Sequence, residues 1–393
     1  MEHSYVYSLP YIVLVLCYGG MSILYHANED ELVRQRIRWA CLGLFLFFFG
    51  FRGLVGDDWT NYYPMYERIS AHNLQDMIYA MQDTAYEPAF FFLTLFCKLI
   101  SNESYVFYTF VCCSLNLWLL YRFLRRYVEN IPLGFTLFLC MGGFVMSTNL
   151  MRNSISILIF VNSIPYLIER KPLPYFSLAF LGVCFHYSSL LYFPLYFFFH
   201  KRCPRWLFIV ILVVGNLIFL LNIRYLTPIL LAIAARFGEV YETILQSYIE
   251  GKYADISMGI SIGYLERLLT SILVLCYYDK LCQLRKENAL FINCLVVYFI
   301  LTFYFYEFQI IGQRLANLFV CFYWVIWADL INCFSITNNK LLYLGFVSMY
   351  SVLKIAGLTS LETLQYDNYL FGAKTYEERL YIHLKYQDDD DIL

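Results

Sequence analysis

The sequence predicts an all-α, polytopic membrane protein with about twelve transmembrane helices, within a range of about ten to fourteen, and with amphipathic loops on its external side. Apolar residues make up 60% of the 393 positions and charged residues only 15%, against about 25% charged residues in soluble domains. The charges cluster between uncharged runs that are long enough to cross about 30 Å of hydrocarbon as helices. Such runs include Ser104 to Tyr121, Ile131 to Met151, Trp206 to Ile223 and Asn288 to Tyr306.

Membrane segments occupy nearly the whole chain, so a separate soluble domain is not expected. We predict a single transmembrane helical domain over residues 1–361 and an external tail over residues 362–393. The first apolar run has no Lys or Arg before Arg34, which favours a retained membrane helix over a cleaved signal peptide. The thirteen cysteines are scattered through apolar runs and are predicted to pack as small apolar residues. Basic residues confined to loops do not predict nucleic-acid binding.

Basic clusters in the connecting loops predict the orientation of the chain. Because cytoplasmic loops carry an excess of Lys and Arg, we place six basic loops in the cytoplasm, at residues 34–38, 122–126, 170–171, 201–205, 280–286 and 340. The connections between them face outward. Two of these external loops, at about 53–86 and 224–263, are predicted to form the active-site face. The chain is therefore predicted to be a multi-pass protein of the cytoplasmic (inner) membrane.

Two apolar segments do not fit a simple crossing of the membrane. Glu87 to Ile100 is short and includes Lys98, which suits a re-entrant or interfacial helix better than a full span. Pro172 to Phe199 has no formal charge and would reach about 42 Å as one helix, which is long for one crossing and short for two. We predict a pair of short helices there, broken near His186.

The loop after the second helix, from Phe51 to Tyr63, concentrates the residue types that carry chemistry. Arg52 and the adjacent carboxylates Asp57 and Asp58 meet several rings there. The rings that could stack on sugars are Trp59, Tyr62, Tyr63 and Tyr66. The alternative interpretation is an aromatic belt at the membrane interface beside solvated acids.

Three arginines, Arg52, Arg152 and Arg314, each adjoin an apolar helix on the predicted external side, against the positive-inside bias. Guanidinium groups bind phosphate through two parallel hydrogen bonds and stay charged. Arginines around an external cavity therefore suit a lipid-linked pyrophosphate. The alternative is a snorkelling side chain or an ion pair, for example between Arg314 and Glu307.

Candidate proton acceptors lie in the same region. Asp58 and Glu87 are the carboxylates that we expect to act as general base on a sugar hydroxyl. His186 interrupts an apolar run, where its imidazole could contact a sugar or phosphate oxygen or move a proton, although a packed histidine is the simpler interpretation. No metal site or cofactor is predicted, while Asp57 and Asp58 could hold a divalent ion through a substrate phosphate. The absence of a phosphate-binding glycine-rich motif argues against a nucleotide-driven pump.

In chain order, these short motifs resemble the EpsG family within the broader Wzy-type polysaccharide repeat-unit polymerases, over roughly residues 10–371. One local departure is Asn153-Ser154, where the family often has Gln and a small residue. The matching residues are Arg52 with Gly56, Asp58 and Tyr62, then Glu87-Pro88, Asn149 with Arg152, His186-Tyr187-Ser188-Ser189, Arg314, and the segment Tyr366 to Phe371.

The resemblance implies a polymerase that transfers a glycan from a polyprenyl-pyrophosphate carrier, such as undecaprenyl pyrophosphate, onto a lipid-linked repeat unit outside the membrane. Such an enzyme would serve capsule, O-antigen or exopolysaccharide synthesis, without a metal, beside membrane lipids and with a flippase or a chain-length regulator as possible partners. Arg152 and Arg314 would bind pyrophosphate, and Arg52 would share that cavity or hold Asp58. The alternatives are a glycosyltransferase that uses a polyprenyl-phosphate sugar, and a flippase for lipid-linked oligosaccharides.

Overall fold

The structure is a computed structural model that describes residues 3–69, 86–101, 104–237 and 260–390. Helices account for 81% of the described residues, which contain no β-strand. The all-α prediction is therefore confirmed. Much of the two loops predicted to form the active-site face, residues 70–85 and 238–259, lies outside the described ranges.

Five of the described helices are long and apolar enough to cross a membrane. A sixth span results if the pair Ile311–Asn317 and Phe322–Cys333, bent by 61°, counts as one. Five more apolar helices run for 10 to 17 residues, among them Pro88–Ile100, the segment that was predicted not to span. These helices indicate an integral membrane protein, while the predicted number of about twelve spans is not confirmed.

The chain divides into two compact units. The first comprises Met1–Tyr196 together with Thr337–Leu393, and the second comprises Phe197–Ile336. The single transmembrane domain expected over residues 1–361 stays a prediction. The first unit begins with α1 (Tyr5–Ala27), α2 (Glu31–Phe45), α3 (Trp59–Arg68), α4 (Pro88–Ile100), α5 (Tyr105–Tyr127), α6 (Ile131–Phe138), α7 (Phe144–Thr148), α8 (Met151–Ile168) and α9 (Pro172–Phe185). The short helix α10 (Leu195–Phe198) lies at the division. The second unit contains α11 (Arg205–Leu220), α12 (Leu226–Phe237), α13 (Ile262–Cys276), α14 (Tyr278–Leu284), α15 (Asn288–Phe303), α16 (Gln309–Asn317) and α17 (Phe322–Cys333). The first unit ends with α18 (Thr337–Leu358) and α19 (Tyr376–Asp390).

Helix α8 is the core helix of the first unit. It packs against α5 and α9, while α1 packs against α6 and α18. Ile155, Ile157, Val161 and Ile164 are all fully buried, so apolar side chains leave α8 in several directions. A helix that is apolar on all sides belongs in the interior of a protein. The N-terminal turn of α8, which carries Arg152, is thereby held by packing along the rest of the helix.

Local breaks in the helices position the site residues. Pro88 occupies the first turn of α4, where its missing N–H costs no hydrogen bond, and Glu87 precedes it in extended conformation. Helix α9 ends at Phe185, His186 is extended, and a 3₁₀ turn runs from Tyr187 to Tyr192. The predicted break near His186 is therefore confirmed.

In the second unit, α15 packs against α11, α16 and α17. The Glu307 carboxylate caps α12 by accepting hydrogen bonds from the backbone N–H groups of Tyr225, Leu226 and Thr227, at 2.8, 2.7 and 2.9 Å. A carboxylate at a helix N-terminus satisfies backbone donors that have no partner inside the helix. The suggested ion pair between Glu307 and Arg314 is not among the described ion pairs, and the structure places Glu307 in this capping role instead.

Candidate active site

Residues 51–58 connect the π-helical segment Leu46–Gly50 to α3, and the segment after α18 holds them in place. Gly53 N–H donates to the Asp367 carbonyl at 3.1 Å, and Gly56 N–H donates to the Thr363 carbonyl at 3.2 Å. In the opposite direction, Tyr369 N–H donates to the Phe51 carbonyl at 2.9 Å. The first part of the predicted external tail is therefore part of the scaffold of the loop that carries Asp57 and Asp58.

Arg52 is buried, with 7% of its surface exposed, and its recorded partners are backbone carbonyls. It donates to the Thr148 carbonyl at 3.0 Å and to the Phe49 carbonyl at 3.5 Å. No ion pair joins it to a carboxylate in the described part of the chain, so the expectation that Arg52 holds Asp58 is not met there. Because Thr148 is the last residue of α7, Arg52 fixes the turn that leads into α8.

Asn149, the residue that follows Thr148, ties this turn to the loop. Its Oδ1 atom accepts a hydrogen bond from Asp57 N–H at 3.3 Å. Gly56 has a φ angle of +95°, and a Cβ atom at this position would lie 2.0 Å from Asn149 Oδ1. Glycine is therefore required at position 56 both by the backbone conformation and by the close approach of Asn149.

We expect Gly56→Ala to destabilise the protein by more than about 2 kcal/mol, because it adds a clash to the cost of about 1–2 kcal/mol for a left-handed non-glycine residue. Gly372→Ala is the matched control, because Gly372 has a φ angle of +88° but nothing within 4 Å of its Cβ position. Thermal unfolding of both variants in the same detergent measures the difference. Equal unfolding temperatures for the two variants would contradict the role assigned to Asn149.

A partly buried ion pair joins Glu87 to Arg152. Arg152 Nη1 lies 2.8 Å from Glu87 Oε2, and the two side chains are 24% and 3% exposed. The second oxygen of Glu87 accepts a hydrogen bond from Tyr187 N–H at 3.2 Å. The Arg152 guanidinium also lies 5.9 Å from the ring centroid of Tyr62 and 5.2 Å from that of Tyr86, within the range of cation–π attraction. The Glu87–Arg152 pair thus connects α4 with α8, and it reaches the turn after His186 through Glu87 and the rings of Tyr62 and Tyr86 through Arg152.

Tyr62 connects this ion pair to Asp58. Burial raises the pKa of the Tyr62 phenol, the positive charge of Arg152 lowers it, and the negative charge of Asp58 raises it further. Both charged groups are therefore within electrostatic reach of the same hydroxyl. The Asp58 carbonyl accepts hydrogen bonds from Asn61 N–H at 3.0 Å and from Tyr62 N–H at 3.1 Å, so the backbone of Asp58 is fixed at the start of α3 while its side chain stays partly exposed.

His186 is oriented by the 3₁₀ turn that follows it. Its Nδ1 atom accepts a hydrogen bond from Ser188 N–H at 3.2 Å and lies 2.7 Å from Ser188 Oγ. The same hydroxyl lies 3.2 Å from Asn153 Oδ1, one residue after Arg152. The contact from Ser188 N–H to Nδ1 favours the neutral tautomer of His186 that carries its hydrogen on Nε2. In this tautomer Nε2 is a hydrogen-bond donor.

Helix α19 packs on the other side of the loop. Tyr376 stacks on Tyr63 with 4.8 Å between ring centroids, and it meets Trp59 edge-on at 5.7 Å. Trp59, only 5% exposed, donates its indole N–H to the Gly56 carbonyl at 2.8 Å. Sugar stacking on Trp59 stays a prediction, and it would require α19 to move away.

Asp57 also faces α19. His383 Nδ1 lies 3.8 Å from Asp57 Oδ1. The surrounding protein raises the pKa of the Asp57 carboxyl above its ordinary value, and His383 and a hydrogen bond to Asn149 lower it in part. Asp57 therefore contacts the scaffold of the loop, whereas the carbonyl of its neighbour Asp58 accepts a hydrogen bond from Tyr62 N–H.

The structure brings most of the predicted site residues together within the first unit. Arg314 is the exception, because it lies in α16 of the second unit. Sequence reasoning assigned no role to several positioning residues, although Asn149 and Ser188 belonged to recognisable motifs. No group of three potential metal ligands occurs among the described residues, and metal independence stays a prediction. The residues linked in one cluster are Asp58, Tyr62, Glu87, Arg152 and His186. The positioning residues without a predicted role are Tyr86, Asn149, Asn153, Ser188 and His383. The predicted residues that support the loop are Arg52, Asp57 and Trp59.

Comparison with known proteins identifies the family of this chain. A family model described as EpsG family matches residues 36–371, most of the chain. The chain belongs to the EpsG family. Members of the EpsG family are Wzy-type polymerases, which confirms the resemblance found in the sequence motifs. Searches among curated proteins and among solved structures found no match. The EpsG match includes the whole linked cluster and ends before α19.

Proposed function

We propose that the protein is a repeat-unit polymerase that transfers a growing glycan from a polyprenyl-pyrophosphate carrier onto a lipid-linked repeat unit at the outer face of the cytoplasmic membrane. The observation that carries this proposal is the Glu87–Arg152 pair, whose arginine faces the ring of Tyr62, whose glutamate accepts a hydrogen bond from the turn of His186, and which lies near Asp58 because Tyr62 N–H donates to the Asp58 carbonyl. EpsG membership supports the polymerase role, and the chemistry of the cluster supports a pyrophosphate leaving group.

Pyrophosphate is a good leaving group, so the transfer needs little acid catalysis. A hydroxyl oxygen of the acceptor attacks the anomeric carbon of the donor, and the bond from that carbon to the pyrophosphate oxygen breaks. Negative charge then develops on the carrier pyrophosphate, where a fixed guanidinium stabilises the transition state more than the ground state. We assign this role to Arg152. We assign the same phosphate-binding role to Arg314 in the second unit, on its residue type and its family motif alone.

The two candidate carboxylates differ in what they can do. Both oxygens of Glu87 already accept hydrogen bonds, from Arg152 and from Tyr187 N–H. Glu87 is therefore proposed as a positioning residue that orients Arg152. Asp58 is partly exposed and lies near Tyr62, so it is our candidate for the base that takes the proton of the attacking hydroxyl.

The remaining residues hold or contact the substrate. We propose that His186, with its hydrogen on Nε2, donates a hydrogen bond to a sugar or phosphate oxygen. Tyr62, only 6% exposed, would hold the Arg152 guanidinium in place, and contact of its ring with a sugar stays a prediction. Arg52, Asp57 and Trp59 would maintain the shape of the loop rather than take part in bond formation, since their recorded contacts are to backbone groups and to α19.

Mass spectrometry of lipid-linked and surface glycans tests this function in cells that lack the protein, beside the same cells complemented with the wild type. We expect complete single repeats at the surface and no longer chains in the deletion cells. Truncated repeats that lack one sugar would indicate a glycosyltransferase. Complete repeats that stay on the cytoplasmic face would indicate a flippase. Either of these two results would contradict the polymerase.

A further inference from the structure

A cavity lined by arginines lies at the C-terminal ends of α5 and α8, at the opposite end of α8 from Arg152. Its volume is about 310 Å³. Arg122, Arg125 and Arg126 line it from α5, and Asn162 and Glu169 are among the residues that line it from α8 and its C-terminal cap. Arg122, Arg125 and Arg126 form one of the basic clusters that predict the orientation of the chain, and no proposed catalytic step uses any of the lining residues.

The sequence spacing explains why the three arginines share a cavity. Positions 122, 125 and 126 are separated by three and four residues, so they lie on one face of α5. Asn162 joins the two helices, because its amide donates to the Leu119 carbonyl of α5 at 3.0 Å and to the Leu158 carbonyl of α8 at 2.8 Å. Two regular helices thus form the walls of this cavity.

Neighbouring acids offset the charge of the cavity only in part, because Glu31 lies within electrostatic range of Arg125. All three arginines are exposed, and no ion pair joins any of them to a carboxylate in the described ranges of the chain. Glu169 lines the same cavity, but its carboxylate pairs with Lys171 at 2.8 Å. Three guanidinium groups around a cavity of this size suit a phosphate group, which accepts paired hydrogen bonds from arginine.

The position of the cavity favours a lipid as the source of that phosphate. Helix α5 is one of the helices long and apolar enough to span a membrane, and its last turn lies where headgroups are expected. Trp118, four residues before Arg122, is 56% exposed, and the Arg122 guanidinium lies 6.0 Å from its ring centroid. An exposed tryptophan next to a basic cluster is typical of the boundary between acyl chains and headgroups.

We propose that this cavity binds the phosphate headgroup of an anionic phospholipid in the leaflet at the C-terminal ends of α5 and α8. The inference does not depend on the polymerase reaction, because none of its residues belongs to the linked cluster. A structural alternative is that the arginines only offset the negative end of the α5 helix dipole.

Native mass spectrometry of the full-length protein tests the proposal, with an equal mixture of phosphatidylglycerol and phosphatidylcholine that carry the same acyl chains. We expect the wild type to retain phosphatidylglycerol preferentially, and R122Q/R126Q to reduce that retention about tenfold or more. R36Q/K286Q removes the same number of positive charges at exposed positions outside the cavity. It should retain phosphatidylglycerol like the wild type.

R122K/R126K keeps the positive charge but loses the paired hydrogen bonds, so it should retain an intermediate amount of phosphatidylglycerol. It replaces R122Q/R126Q in the test if that variant fails to fold. Equal retention of the two lipids by the wild type would overturn the proposal, as would equal losses in R122Q/R126Q and R36Q/K286Q. Displacement of phosphatidylglycerol from the wild type by excess inorganic phosphate would assign the cavity to soluble phosphate and overturn the lipid assignment.

Discussion

Arg152→Ala is expected to lower chain extension by at least about 100-fold, because loss of one preorganised donor for developing negative charge costs about 10²–10³ in rate. Arg152→Lys should also be strongly impaired, since an ammonium group cannot reproduce the paired hydrogen bonds of a guanidinium. The measurement is polymer length and amount in complemented deletion cells, with the membrane level of each variant determined alongside. Arg36→Ala, at an exposed position of α2, is the control and should give normal polymer.

A loss of activity in Arg152→Ala could also come from unfolding. Removal of the arginine leaves the Glu87 carboxylate, 3% exposed, without its partner, and breaking a buried ion pair in this way costs about 3–5 kcal/mol. The double variant Glu87→Gln/Arg152→Ala removes this unpaired charge and should restore the membrane level of the protein without restoring the polymer. Wild-type polymer from the double variant at normal level would exclude Arg152 from pyrophosphate binding.

Asp58→Asn is expected to reduce the rate of glycan transfer by about 10²–10⁴, the usual contribution of a general base. The substitution keeps the shape of the side chain and leaves the backbone hydrogen bonds from Asn61 and Tyr62 intact, so the fold should be preserved. The measurement is the extension rate of purified protein on lipid-linked repeat units in detergent or vesicles.

Asp57→Asn is the matched control for Asp58→Asn, because it makes the same change at the adjacent position. Asp57 contacts His383 and Asn149, so its loss should alter the stability of the loop and reduce the rate by less than about tenfold, short of the usual contribution of a base. Equal rates for Asp58→Asn and the wild type would remove Asp58 as the base and direct attention to Glu87 or His186.

Arg52 shows most clearly what an arginine's position in the sequence does not reveal. Its position against the positive-inside bias predicts a special role, yet its burial and its partners could not be foreseen. Its hydrogen bond to the Thr148 carbonyl spans 96 positions in the chain. A backbone acceptor carries no residue-specific signal, so no pattern in the sequence distinguishes an arginine that binds substrate from one that supports a turn.

The helix boundaries show a related limit. Apolar runs predict where membrane helices lie, but hydropathy does not report where the backbone leaves the helix. Met141 and Gly142 have non-helical torsion angles inside the apolar stretch between α6 and α7. Several other apolar helices, such as α11 and α15, end at 16 residues, short of the roughly 20 residues of a typical span.

The sequence by itself determined that the chain is helical, that it belongs in a membrane and that it belongs to the EpsG family, because apolar composition and short ordered motifs are local properties of a chain. It also identified Asp58, Glu87, Arg152 and His186 as the residues to examine. Only the tertiary structure decided their partners. Glu87 and Arg152 are 65 positions apart and Glu87 and Tyr187 are 100 apart, and such contacts arise from the packing of α4, α8 and α9, which no local pattern encodes.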